Sequence, residues 1–112
     1  MSLVKELVNV IDKHNGENIV VLDMRDVSAL MDFMIITHVS NPRLLGALAN
    51  YTKEFFDKSK IEYRPIEGDS TSRWLLIDGF EVVVHFFLEE ERDVYQLENL
   101  WKDRIVELDQ LP

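Results

Sequence analysis

The chain has no cysteine in its 112 residues. That absence excludes disulfides, thiolate zinc sites, iron–sulfur clusters and cysteine nucleophiles together, and it suits a reducing compartment. Histidine is scarce as well. His14, His38 and His85 lie far apart and form no HxH or HxxxH pair, so no metal site is expected. The four glycines are isolated, which leaves no G-x-G-x-x-G or Walker loop and no nucleotide cofactor to expect. Ser28, Ser40, Ser70 and Ser72 stand outside any nucleophile-elbow context. No stretch reaches the ~18 apolar residues of a transmembrane helix. Residues 1–14 mix acids and bases at helical spacing, unlike a signal or transit peptide. The expected location is therefore cytoplasmic, without membrane contact.

Basic residues are also in the minority. There are 12 Lys/Arg against 21 Asp/Glu, a net charge of −9, and the imbalance is local. Residues 1–64 carry eight basic and nine acidic side chains, whereas residues 65–112 carry four and twelve. An acidic half repels phosphate backbones and anionic lipid, so direct nucleic-acid binding is not expected. It attracts basic protein, or simply keeps the chain soluble. The apolar share of 46% and charged share of 29% are those of a globular protein. At this length one domain over residues 1–112 can bury a core without staples.

Periodicity divides the chain. Leu3, Leu7, Val10 and Ile11, with Val4 and Val8, predict an amphipathic helix that ends at His14-Asn15-Gly16, with Gly16 as a left-handed cap. Ile19–Leu22 and Phe33–Thr37 predict strands. Ser40-Asn41-Pro42 predicts a capped helix start, and Leu44, Leu48, Tyr51 and Phe55 carry that helix to about residue 60. Glu62–Ile66 reads as a short extended segment, at an edge because Pro65 cannot donate to a ladder. After a polar loop, Glu67–Ser72, Trp74–Ile77 and Glu81–Phe87 read as strands joined at Asp78-Gly79, where glycine accepts positive φ. Glu89–Arg104 reads as a helix with Val94, Leu97, Leu100 and Trp101 on one stripe. Three acids begin it, at the positive end of its dipole. The sum is a single α/β domain with a mixed sheet of about five strands flanked by helices.

Little in this pattern suits catalysis. Asp23, Asp26 and Asp32 are neighbours without the Asp-x-Asp spacing of two-metal sites. An enzyme with an unrecognised acidic metal site, using Asp23 or Asp32, is the alternative from that class. His38, at a strand-to-helix turn, could face an anion, although a histidine without a role is the simpler reading. His85, inside a β-branched strand, reads as a partly buried histidine bonded to a neighbour. Trp74 and Leu76 alternate with Leu75 and Ile77, so both faces of their strand are apolar. Such a sheet is covered on both sides or exposes a docking patch, and tryptophan is a frequent interface anchor.

Two blocks resemble the Iojap-related ribosomal silencing factor family. One is Asn18-Ile19-Val20-Val21-Leu22-Asp23-Met24, followed by Asp32-Phe33-Met34-Ile35-Ile36-Thr37 and Ser40-Asn41. The other is Glu67-Gly68, Trp74-Leu75-Leu76-Ile77-Asp78, Val82-Val83-Val84-His85 and Tyr95-Gln96-Leu97-Glu98-Asn99-Leu100-Trp101. The resemblance implies a nucleotidyltransferase-like fold without catalytic residues. It implies binding to the large ribosomal subunit through ribosomal protein fourteen, occlusion of subunit joining, and homodimers in some members. Carried onto this chain, it makes Trp74, Leu76 and Asp78 partner-facing, with Glu89, Glu90 and Tyr95 beside them. The chain departs from the family pattern at His38, at Pro42-Arg43, and at Gly79-Phe80, where the family's aromatic-Gly order is reversed.

Overall fold

The computed structural model describes residues 3–69 and 71–111; Met1, Ser2, Ser70 and Pro112 lie outside the described residues. A mixed sheet of β1 (Glu17–Asp23), β2 (Phe33–Val39), β3 (Trp74–Asp78), β4 (Val82–Leu88) and β5 (Ile105–Val106) forms the centre. Its order is β3-β4-β2-β1-β5. β2 and β4 run parallel, and the other pairs are antiparallel.

Two helices cover one face. α1 (Leu3–Lys13) buries Val4, Leu7, Val8 and Ile11, a single stripe at helical spacing. α2 (Pro42–Lys58) buries Leu45, Leu48, Ala49, Thr52 and Phe56. Its start matches the sequence expectation: Asn41 is the cap, its side-chain oxygen accepts from the Leu44 amide at 2.9 Å, and Pro42 occupies the first turn. Leu75, Ile77, Val82, Val84, Phe86, Ile35 and Val39 supply the sheet side of this core. The other face carries a smaller cluster of Leu22, Met24, Met34, Ile36 and Phe87, partly covered by Leu97 and Trp101.

Four expectations change. First, Asn15 takes the left-handed conformation after α1, at φ 75, and Gly16 does not. Asparagine tolerates that region, whereas Gly16 is required by closeness, since a Cβ there would collide with Ile11. Second, the β3–β4 turn puts its positive φ on Phe80, at 67°, rather than on Gly79. Gly79 instead fits a tight space, where a Cβ would stand 3.0 Å from the Val82 carbonyl and 3.1 Å from Phe56 Cζ.

Third, Glu62–Ile66 is not a strand. The Arg64 amide donates to the Asp78 carbonyl at 2.8 Å and the Glu67 amide to the Leu76 carbonyl at 2.9 Å, but Pro65 between them has no donor and the ladder cannot run on. The fifth strand is β5, which pairs Val106 with Val21 and Ile105 with Leu22 at the opposite edge. Fourth, the helix expected over Glu89–Arg104 stops early. α3 spans Glu89–Tyr95, Gln96 turns left-handed at φ 46, and 3-10 turns follow over Leu97–Arg104 with a kink at Trp101. The break separates the expected stripe. Leu97 and Trp101 turn onto the sheet, while Val94 and Leu100 stay exposed.

Candidate docking face

β3 is an edge strand, and its alternation decides what it displays. Leu75 and Ile77 are buried beneath the helices, and Trp74, Leu76 and Asp78 are half-buried on the opposite face. The adjacent strand differs, because every residue of β4 is buried. The second face of the sheet is thus closed at its centre and open along β3.

Trp74 is held on three sides. Its indole lies on the Phe87 ring with centroids 4.8 Å apart and 25° between planes. Tyr95, from the last turn of α3, leans over it at 4.9 Å. Its Nε1–H donates to Nδ1 of His85 at 3.0 Å. His85 is only 6% exposed, and burial pushes its imidazole down to about 4. It is therefore neutral at pH 7 and able to accept. The histidine expected to be bonded to a neighbour is bonded to the tryptophan of the candidate face.

Leu76 sits opposite His85 in the β3–β4 register. Together with Trp74, Glu67 and Gly68 it lines a shallow depression of about 290 Å³. A larger cavity, of about 580 Å³, lies between the first half of α2 and the loop before β3, and contains none of the six candidate residues. Asp78 already has partners within the chain: its carboxylate accepts from the Phe80 amide at 2.9 Å and lies 3.4 Å from Arg64 Nε. Glu89 and Glu90 are exposed at the start of α3. Arg73, next to Trp74, pairs with Glu91 at 2.9 Å and approaches Glu90 at 3.9 Å, which brings the acidic turn beside the tryptophan. Tyr95 is 53% exposed. The arrangement offers an aromatic anchor, an aliphatic neighbour and flanking carboxylates, all suited to binding a basic, partly apolar surface.

A residue that the sequence pattern does not single out is Arg92, the lone base in the acidic run of α3. It is 3% exposed. Its Nη1 donates to the Asn18 carbonyl at 2.6 Å and lies 3.0 Å from His38 Nδ1, and its Nε donates to Glu98 at 3.0 Å. A single arginine among carboxylates was the available signal. This contact also gives His38 a structural setting, since its imidazole faces the guanidinium.

The acids considered for catalysis are occupied or apart. Asp23 is hydrogen-bonded to Arg25 at 2.7 Å and 3.0 Å, which holds its carboxyl below the usual range. Among the described residues no group of three or more His, Asp or Glu is placed to hold a metal ion. No helix among them is long and apolar enough to cross a membrane.

Comparison with known proteins completes the description. Residues 1–112 match the family model described as ribosomal silencing factor during starvation. A protein of Halalkalibacterium halodurans named ribosomal silencing factor RsfS is 38% identical over 101 residues, 90% of this chain and 86% of the relative. A Bacillus subtilis protein of the same name is 35% identical over 102 residues, covering 91% and 86%. A crystal structure of a Chromobacterium violaceum protein superposes with a TM-score of 0.85 at 28% identity, covering 91% of this chain and 88% of that one.

Proposed function

This chain belongs to the ribosomal silencing factor family, and on that premise we propose that it binds the large ribosomal subunit through ribosomal protein fourteen and blocks joining of the small subunit. The family name ties it to the ribosome and to control of translation rather than to catalysis. The step is steric: a bound 13.2 kDa domain occupies the surface that the other subunit needs. No bond is made or broken.

The observation that carries this function is Trp74, partly exposed on an edge strand whose neighbour is fully buried. Large aromatic anchors ringed by polar groups dominate binding energy at protein interfaces. Here the acids nearby are Glu89 and Glu90, exposed at the start of α3, and Asp78, at the other end of β3, and acids of that kind complement the basic surface of a ribosomal protein. Their contribution falls as salt rises.

Sedimentation tests the proposal. Purified protein mixed with isolated large subunits should travel with them on a gradient, and pre-bound subunits should join small subunits poorly. Joining that proceeds unimpaired at saturating protein would sink it. Trp74→Ala should abolish co-sedimentation, and ribosomal protein fourteen should be recovered with the wild type alone.

A further inference from the structure

Trp74 is the bulkiest element of the open face, and of its three contacts only the one to His85 is a hydrogen bond. An indole N–H can only donate. Across the sheet, Trp74 stands opposite Phe87, and His85 is the diagonal neighbour on the same face. Stacking on Phe87 fixes the plane of the indole but leaves its edge free to turn over. The 3.0 Å bond to His85 Nδ1 removes that freedom. Because His85 is buried and neutral, the acceptor is kept available without competition from water.

We propose that His85 is the positioning residue of the docking face: its unprotonated Nδ1 holds the indole of Trp74 in the one orientation that a partner meets. This rests on the proposed docking through Trp74. His85 itself touches no partner, being buried between β3 and β2 opposite Leu76 and Ile36. Presenting a pre-oriented anchor reduces the ordering cost of binding. Protonated, the ring has no lone pair to offer and the indole edge is released. The titratable and charged groups of the surrounding elements are Asp78 on β3, Glu67 bridged to Leu76, His38 on β2, and Glu89, Glu90, Glu91, Arg92, Asp93 and Tyr95 on α3. None of these is hydrogen-bonded to His85, and burial alone sets its state.

The 112-residue chain tests this by amide and indole NMR. Its two tryptophans give two indole N–H signals, which Trp101→Phe assigns. The Trp74 signal should exchange slowly with solvent in the wild type, slowly in His85→Gln, whose side-chain oxygen also accepts, and rapidly in His85→Leu. Affinity for isolated large subunits should drop about tenfold in His85→Leu and recover most of the way in His85→Gln. A folded His85→Leu that binds as the wild type does overturns the proposal. If the leucine variant does not fold, a wild-type Trp74 indole that exchanges as fast as a free one overturns it equally. A wild type that binds no subunits defeats the docking function instead, and is recognised because the exchange pattern is read without any ribosome present.

Discussion

Arg92 and Asn18, on α3 and β1, meet at 2.6 Å through a guanidinium nitrogen and a backbone carbonyl. Asn18 is left-handed at φ 46, within the irregular stretch of the β1–β2 pairing between Glu17 and Val20. The arginine satisfies a carbonyl that this irregularity turns inward, and Glu98 balances its charge. Removing one partner of a buried, hydrogen-bonded charge pair costs about 3–5 kcal/mol. Arg92→Ala should lower the unfolding free energy by that much in urea titration, with α3 loosened first. A loss below about 1 kcal/mol would show that the pin is not structural.

Acid should destabilise the fold through His85. Its folded value is depressed to about 4 from an ordinary 6.5, so the unfolded chain binds the extra proton across that window. The associated stability is complete above pH 6.5 and is lost as pH falls towards 4, about 3 kcal/mol in all. Denaturation at pH 7 and pH 4.5 should show the difference, and His85→Gln should flatten it. An unchanged slope in the glutamine variant would assign the acid sensitivity to other groups.

The cap of α2 offers a smaller, cleaner effect. Asn41→Ala removes the acceptor for the Leu44 amide and should cost about 1 kcal/mol. Asn41→Asp should restore it, since a carboxylate accepts the same bond and suits the positive helix end. Thermal melts of the three proteins decide the matter.

Trp74→Glu separates docking from self-association. The substitution places a charge among Phe87, Tyr95 and the acids of α3. A variant that keeps the wild-type oligomeric state on sizing but does not travel with large subunits supports docking through this face. A changed oligomeric state with ribosome binding intact would reassign the face to a second copy of the chain.

Much of the fold could be read from local pattern. Helical stripes in α1 and α2, the Asn41 cap and strands β1 to β4 all follow from residues close in sequence. What escaped depends on distant contacts. Nothing between Glu89 and Arg104 forbids a continuous helix. The break at Gln96 arises where α3 meets the sheet, with Arg92 drawn to β1 on one side and Leu97 and Trp101 drawn to the smaller core on the other. β5 is only two residues long and gains its identity from β1. On the candidate face, alternation was enough to separate Trp74 and Leu76 from Leu75 and Ile77. The link to His85 was not, because strand spacing alone does not reveal which residues stand diagonally across a hairpin.

The segment beside β3 has a further consequence for how any partner can attach. The outward backbone groups of Leu76 and the carbonyl of Asp78 are already satisfied by Glu67 and Arg64, with Pro65 offering no donor on the far side. An unguarded edge strand invites an incoming chain to extend the sheet, a route to both peptide capture and fibre growth. Here that route is obstructed at Leu76 and Asp78 by the molecule's own main chain. Recognition along this part of the edge falls to side chains on the face, where it is sensitive to single substitutions, rather than to a main-chain zipper indifferent to sequence.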